Sequence, residues 1–117
     1  MFKTITIPAL FLLTAGVAKA EVWVVTEGTN APARGTWQIA SNGGDLSGSA
    51  DMINAKGQHV TFKLSGTLRN DQYSLQRISP SDGSVCVYRG AMKEPGKIAG
   101  SAICGLTSTA WNVTRQQ

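Results

Sequence analysis

The stretch Val60-Thr61-Phe62-Lys63-Leu64-Ser65-Gly66-Thr67-Leu68 puts apolar residues or glycine at even positions and polar residues at odd ones. Successive side chains of a strand point to opposite faces, so this period commits the segment to a strand with one buried face and one wet face. No helical stripe competes with it further along the chain. Similar runs predict eight strands, near 21–26, 35–41, 45–53, 58–68, 72–78, 84–92, 97–104 and 109–115. Turn residues separate them: Asn42-Gly43-Gly44, Asn54-Ala55-Lys56-Gly57, Arg69-Asn70-Asp71, Ser79-Pro80-Ser81-Asp82-Gly83 and Lys93-Glu94-Pro95-Gly96. Connections this short force antiparallel neighbours. The expected fold is therefore all-β, an antiparallel meander.

The cysteines test that register. Cys86 and Cys104 each lie nine residues from Pro95, in the middle of the sixth turn. They face each other across the hairpin, with Tyr88 opposite Ala102 and Gly90 opposite Gly100. Cβ atoms of such pairs sit at distances a disulfide bridges. Gly48, Gly66, Gly90 and Gly100 each sit between two apolar residues of the same parity, on the inward face. Glycine in mid-strand marks a bend, a bulge or a close backbone approach, and a series of them describes a sheet that curls onto itself. Eight short strands of this kind fit a small closed barrel, whose interior is filled by side chains or holds one small ligand. A two-sheet sandwich with bent strands is the architectural alternative.

Lys3, the apolar run Ile5 to Val17 and the small-residue site Ala18-Lys19-Ala20 make residues 1–20 a signal peptide. Residues 21–117 are then one exported domain, periplasmic or secreted, in a compartment that tolerates a disulfide. Removing Lys3 and Lys19 with the leader leaves nine basic against seven acidic side chains, a net charge of +2 rather than +4. The basic residues are spread one or two per segment, without the clustering a phosphate-tracking face needs, so no nucleic-acid partner is expected. The apolar leader is too short to span a bilayer, and no membrane insertion is expected of the domain.

Ingredients for catalysis are few. His59, the single histidine, falls on the polar face beside Thr61 and Lys63, where an exposed structural role is expected. Asp45, Asp71, Asp82 and Glu94 fall in turns, where carboxylates cap local backbone groups. With both cysteines committed to each other, no metal-ligand spacing is left. We expect no enzyme activity, no metal and no cofactor.

Gly35-Thr36-Trp37 opens an early strand, and Arg115 closes the last one on the face of Trp111 and Val113. These two short features resemble the calycin group, which comprises lipocalins, avidin-like proteins and small bacterial metalloprotease inhibitors. The resemblance implies a closed barrel in which Trp37 and Arg115 form a stacked pair at one end. Here a further strand, Val22 to Val25, precedes the Gly-x-Trp.

Binding is what remains. Pairing through the Asn70-Asp71 turn sets Leu75 opposite Gly66 and Arg77 opposite Leu64, which points Arg77 inward. A buried guanidinium must stack on a ring, pair with a carboxylate or hold the polar end of a ligand. Tyr73, Tyr88, Trp37 and Trp111 share the inward parity. Two functions follow as expectations. One is a non-catalytic domain that engages a protein partner through its loops and the Thr26 to Arg34 stretch, as an inhibitor of an exported hydrolase would. The other is a carrier of a small apolar or aromatic ligand, with Arg77 and Tyr88 as its polar contacts and Tyr73, Trp37 and Trp111 as its walls.

Overall fold

A computed structural model of the chain describes residues 20–30 and 32–116. The segment 1–20, expected to be a signal peptide, lies outside the described residues except for Ala20, which is the first residue of a strand. The strands are β1 Ala20–Glu27, β2 Ala33–Asn42, β3 Asp45–Ile53, β4 His59–Arg69, β5 Gln72–Ile78, β6 Val85–Glu94, β7 Lys97–Cys104 and β8 Thr107–Gln116. Each pairs antiparallel with its sequence neighbours, and β1 also pairs with β8 to close the barrel. That closure excludes the sandwich.

The alternation in the sequence becomes the inside and outside of the wall. Trp23, Val25, Trp37, Ile39, Leu75, Tyr88, Ile98 and Trp111 are all at or below 2% exposure, and each has the inward parity of its strand. The register expected around Pro95 and Asn70-Asp71 is observed: Cys86 faces Cys104, Tyr88 faces Ala102, Gly66 faces Leu75 and Leu64 faces Arg77. Cys86 and Cys104 form the disulfide.

Strand ends depart from expectation where the hairpins run further than turn chemistry implies. β6 continues through Lys93 and Glu94, with a register shift beyond Met92, so that Glu94 lies in a strand rather than a turn; Asp45, also read as a turn residue, is the first residue of β3, whose bounds are those expected. Ladder hydrogen bonds extend a hairpin until the backbone must reverse. Here the reversal falls on residues that tolerate positive φ: Gly43 and Gly44, Asn70 and Asp71, and Gly96.

Two inward glycines show why the sheet can curl. A Cβ on Gly48 would stand 1.8 Å from the Gln38 carbonyl oxygen, and one on Gly100 would stand 1.9 Å from that of Arg89. Only a hydrogen fits where adjacent strands bend this closely. The space they leave on the inside is occupied. Trp111 lies opposite Gly100, and its ring reaches within 3.0 Å of where a Gly90 Cβ would be. Trp37 packs centroid to centroid against Tyr88 at 4.9 Å, Trp111 at 5.7 Å and Trp23 at 6.4 Å.

The meander sorts the connections by end. Turns 43–44, 70–71 and 95–96 lie at one end of the barrel, called here the tight-turn end. Gly28 and Pro32 of the β1–β2 connection, and connections 54–58, 79–84 and 105–106, lie at the other, the long-loop end.

Candidate functional site

Inward parity on β1, β5 and β8 carries four charged side chains: Glu21, Glu27, Arg77 and Arg115. They form two ion pairs, one at each end of the barrel.

At the long-loop end, Arg77 projects from β5 directly opposite Cys86 of β6, which in turn lies opposite Cys104 of β7. Its two terminal nitrogens are partnered, while its buried Nε is not. Nη1 donates to Glu27 Oε1 at 3.1 Å, Nη2 donates to Cys86 Sγ at 3.2 Å, and Cζ stands 4.0 Å over the Phe62 ring. The Tyr88 hydroxyl donates to the same Glu27 oxygen at 2.7 Å. The Arg77 and Glu27 side chains are only 15% and 10% exposed, so each charge needs the other to be tolerable there. Burial, and then the Glu27 charge, push the Tyr88 phenol well above its ordinary range, so it stays a donor.

At the tight-turn end, Arg115 donates from Nε and Nη2 to the two oxygens of Glu21, at 3.0 and 2.6 Å. Trp23 Nε1 donates to the same carboxylate. Burial acts to raise the Glu21 pKa, but the bonds from Arg115 and Trp23 and the Arg115 charge outweigh it and hold the carboxyl below its ordinary value. The same bond to Glu21 raises Arg115. Burial raises the Tyr73 phenol nearby. A dent of about 80 Å³ opens among Trp23, Leu68, Tyr73 and Arg115.

The structure thus gathers Arg77, Tyr88, Trp37 and Trp111 into one packed cluster, which Tyr73 joins through Trp23, edge-on to it toward the other end. Arg77 resolves its expected choices by taking two together, a ring and a carboxylate. The stacked pair expected of Trp37 and Arg115 is not formed. Trp23 pairs with Trp37 on one side and with Arg115 on the other, so the extra strand inserts its own tryptophan between them. The Trp37 indole N–H points to Met52 Sδ instead, at 3.2 Å. Residue-by-residue reading of the sequence passes over Glu27, Phe62 and Trp23. The signal for Glu27 is parity, since it continues the inward series Trp23, Val25.

The outer surface of the long-loop end is different in kind. Leu106, at the tip of the Gly105-Leu106 turn, is fully exposed, and Val85 and Ile103 beside it are 45% and 40% exposed. The Cys86–Cys104 bond lies at the foot of that turn. A surface cleft of about 300 Å³ at the same end is lined by Pro32, Arg34, Ile53 and Asn54, and another of about 240 Å³ by Val60, Phe62 and Pro80. His59 is exposed on β4 and pairs with Asp51 across the β3–β4 ladder. Asp82 caps the Ser84 amide. Among the described residues, no three or more His, Cys, Asp or Glu side chains gather as a metal site would require, and no helix is long and apolar enough to cross a membrane.

The fold and its two capped ends define a class: a small, closed, eight-stranded meander barrel with one internal disulfide, an architecture consistent with the calycin group. Comparison with known protein families, curated proteins and solved structures returned no match for this chain.

Proposed function

We propose that this protein is an exported, non-catalytic binding domain that engages a protein partner with the long-loop end of its barrel. The observation that carries the proposal is Leu106, a large apolar side chain held fully in solvent on a turn that a disulfide braces. An exposed apolar side chain on a rigid support suits an interface, because little conformational freedom is lost when it is buried. Val85 and Ile103 widen the apolar patch, and Gly28, just past β1, is tied to β8 by its amide bond to the Ala110 carbonyl. Capture of an exported hydrolase, and its inhibition, is the use that this small rigid shape serves best.

The carrier alternative draws its support from the inward glycines. Against it stand the three tryptophans and Tyr88, which occupy the volume those glycines leave. The test is a pull-down from the exported fraction of the host with wild-type domain and with Leu106→Asp, each photocrosslinked through a probe at position 103, followed by assay of captured hydrolase activity. The expected result is one crosslinked partner that is lost with Leu106→Asp while the circular dichroism of the domain is unchanged. A partner retained by Leu106→Asp, or native mass spectrometry finding a small molecule inside the purified barrel, overturns the proposal.

A further inference from the structure

The row Arg77–Cys86–Cys104 across three adjacent strands has a chemical direction. Arg77 lies against one sulfur only. Its Nη2 donates to Cys86 Sγ at 3.2 Å, while Cys104 lies on the far side of Cys86 in register and away from the guanidinium. Exposure divides the two residues in the opposite sense: Cys86 is buried at 8%, and Cys104 is half-buried at the margin of the core. The more exposed cysteine is therefore the one without the cation, and the cysteine with the cation is the more sheltered.

A disulfide opens when a thiolate attacks one sulfur and the other departs as a thiolate, and departure is faster when that thiolate is stabilised. A neighbouring guanidinium provides such stabilisation. We infer that Cys86–Cys104 is a directional thiol–disulfide exchange site, with Cys104 the sulfur attacked, Cys86 the leaving group and Arg77 the residue that holds the departing thiolate. The substrate class is a small-molecule thiol. In the first step its thiolate bonds to Cys104 Sγ, the Cys86–Cys104 bond breaks, and that electron pair leaves on Cys86. In the second step another thiolate attacks the external sulfur of the mixed disulfide, and Cys104 departs as a thiolate. Two small thiols are oxidised to their disulfide and the protein bond is reduced by the same two electrons.

Glu27 sets the strength of the effect. It shares the Arg77 charge through Nη1 and stands on the other side of the guanidinium from the sulfur. Loss of its negative charge leaves more of the cation for Cys86, and loss of Arg77 leaves a carboxylate facing the departing thiolate. The two substitutions must then act in opposite directions on the rate of opening, although both destabilise the fold. A disulfide that opens merely because its surroundings loosen would open faster in both.

The experiment uses the folded mature domain with glutathione and with dithiothreitol as probes, under native conditions. Glutathione adducts are trapped by acid and located by peptide mass, and the rate of reduction by dithiothreitol is followed by alkylation for wild type, Glu27→Gln and Arg77→Met. The expected adduct is on Cys104, with Cys86 as the free thiol. The expected rates are about tenfold faster for Glu27→Gln and about tenfold slower for Arg77→Met. An adduct on Cys86 overturns the assignment of roles, and rates that rise together overturn the role of Arg77. Should Arg77→Met fail to fold, Arg77→Gln, which also removes the charge, takes its place with the same slowing expected, and the adduct position tests the assignment of the two sulfurs.

Discussion

The two ends of this barrel solve one problem with the same pair of residue types and reach different results. Each end admits a glutamate from β1 on the inward face, and each supplies an arginine from another strand to meet it. At the tight-turn end, Arg115 grips both oxygens of Glu21, yet the carboxylate is still 40% exposed and water shares the work. At the long-loop end, Glu27 and Arg77 are nearly shut away, and their further contacts are a tyrosine hydroxyl, an aromatic face and a disulfide sulfur. Ion-pair geometry alone would rank the Glu21 pair stronger. Burial reverses the ranking of what each pair's loss costs, because a charge abandoned in a sheltered site has no solvent to fall back on.

Removing Arg77 is the sharpest way to break that comparison. Arg77→Met strands Glu27 and is expected to cost about 3 kcal/mol in urea unfolding, against about 1 kcal/mol or less for Arg115→Met. Equal losses would show that burial does not separate the ends. Cys86→Ala with Cys104→Ala, which deletes a link between residues 18 apart, should cost a similar amount, about 3 kcal/mol, through the entropy of the unfolded chain. In a double-mutant cycle that loss should couple to Arg77 and leave Arg115 untouched.

Tyr88→Phe takes one donor from Glu27 and should cost about 1–2 kcal/mol at neutral pH. Because the folded state holds that phenol above its ordinary value of 10.0, its contribution is complete below pH 10 and fades as pH rises beyond it, when the unfolded tyrosine ionises. Wild type and Tyr88→Phe should therefore converge in alkali. The smallest effect belongs to Glu21→Gln. The folded carboxyl lies below its ordinary value of 4.5, so its contribution is present above that pH and is lost as pH falls through the lowered folded value. A Glu21→Gln deficit that persists unchanged at pH 2 would contradict this.

Period and turn chemistry alone make the wall legible. Strict alternation in 60–68 and the equal distances of Cys86 and Cys104 from Pro95 determine which residues face inward and which pair, because a one-residue slip would turn every side chain to the other face. β3, β5 and β7 fall where the sequence places them. The site is legible only by halves. Inward parity nominates Arg77, Tyr88, Trp37 and Trp111, but it carries no information on contacts between strands far apart in sequence. Glu27 meets Arg77 from 50 residues away and Tyr88 from 61, across the closed interior, and Trp23 displaces Trp37 from Arg115 only because β1 inserts between β2 and β8.

The inward glycines divide in the same way. Sequence marks them as bends; whether the bend leaves a hollow depends on which ring lies opposite, and Trp111 lies opposite Gly100. Local periodicity thus decided the strands, their register and the disulfide, since these depend on neighbours along the chain. Closure decided which charges meet, which sulfur has a cation beside it and whether the barrel is full, since these depend on distances that only the folded wall sets.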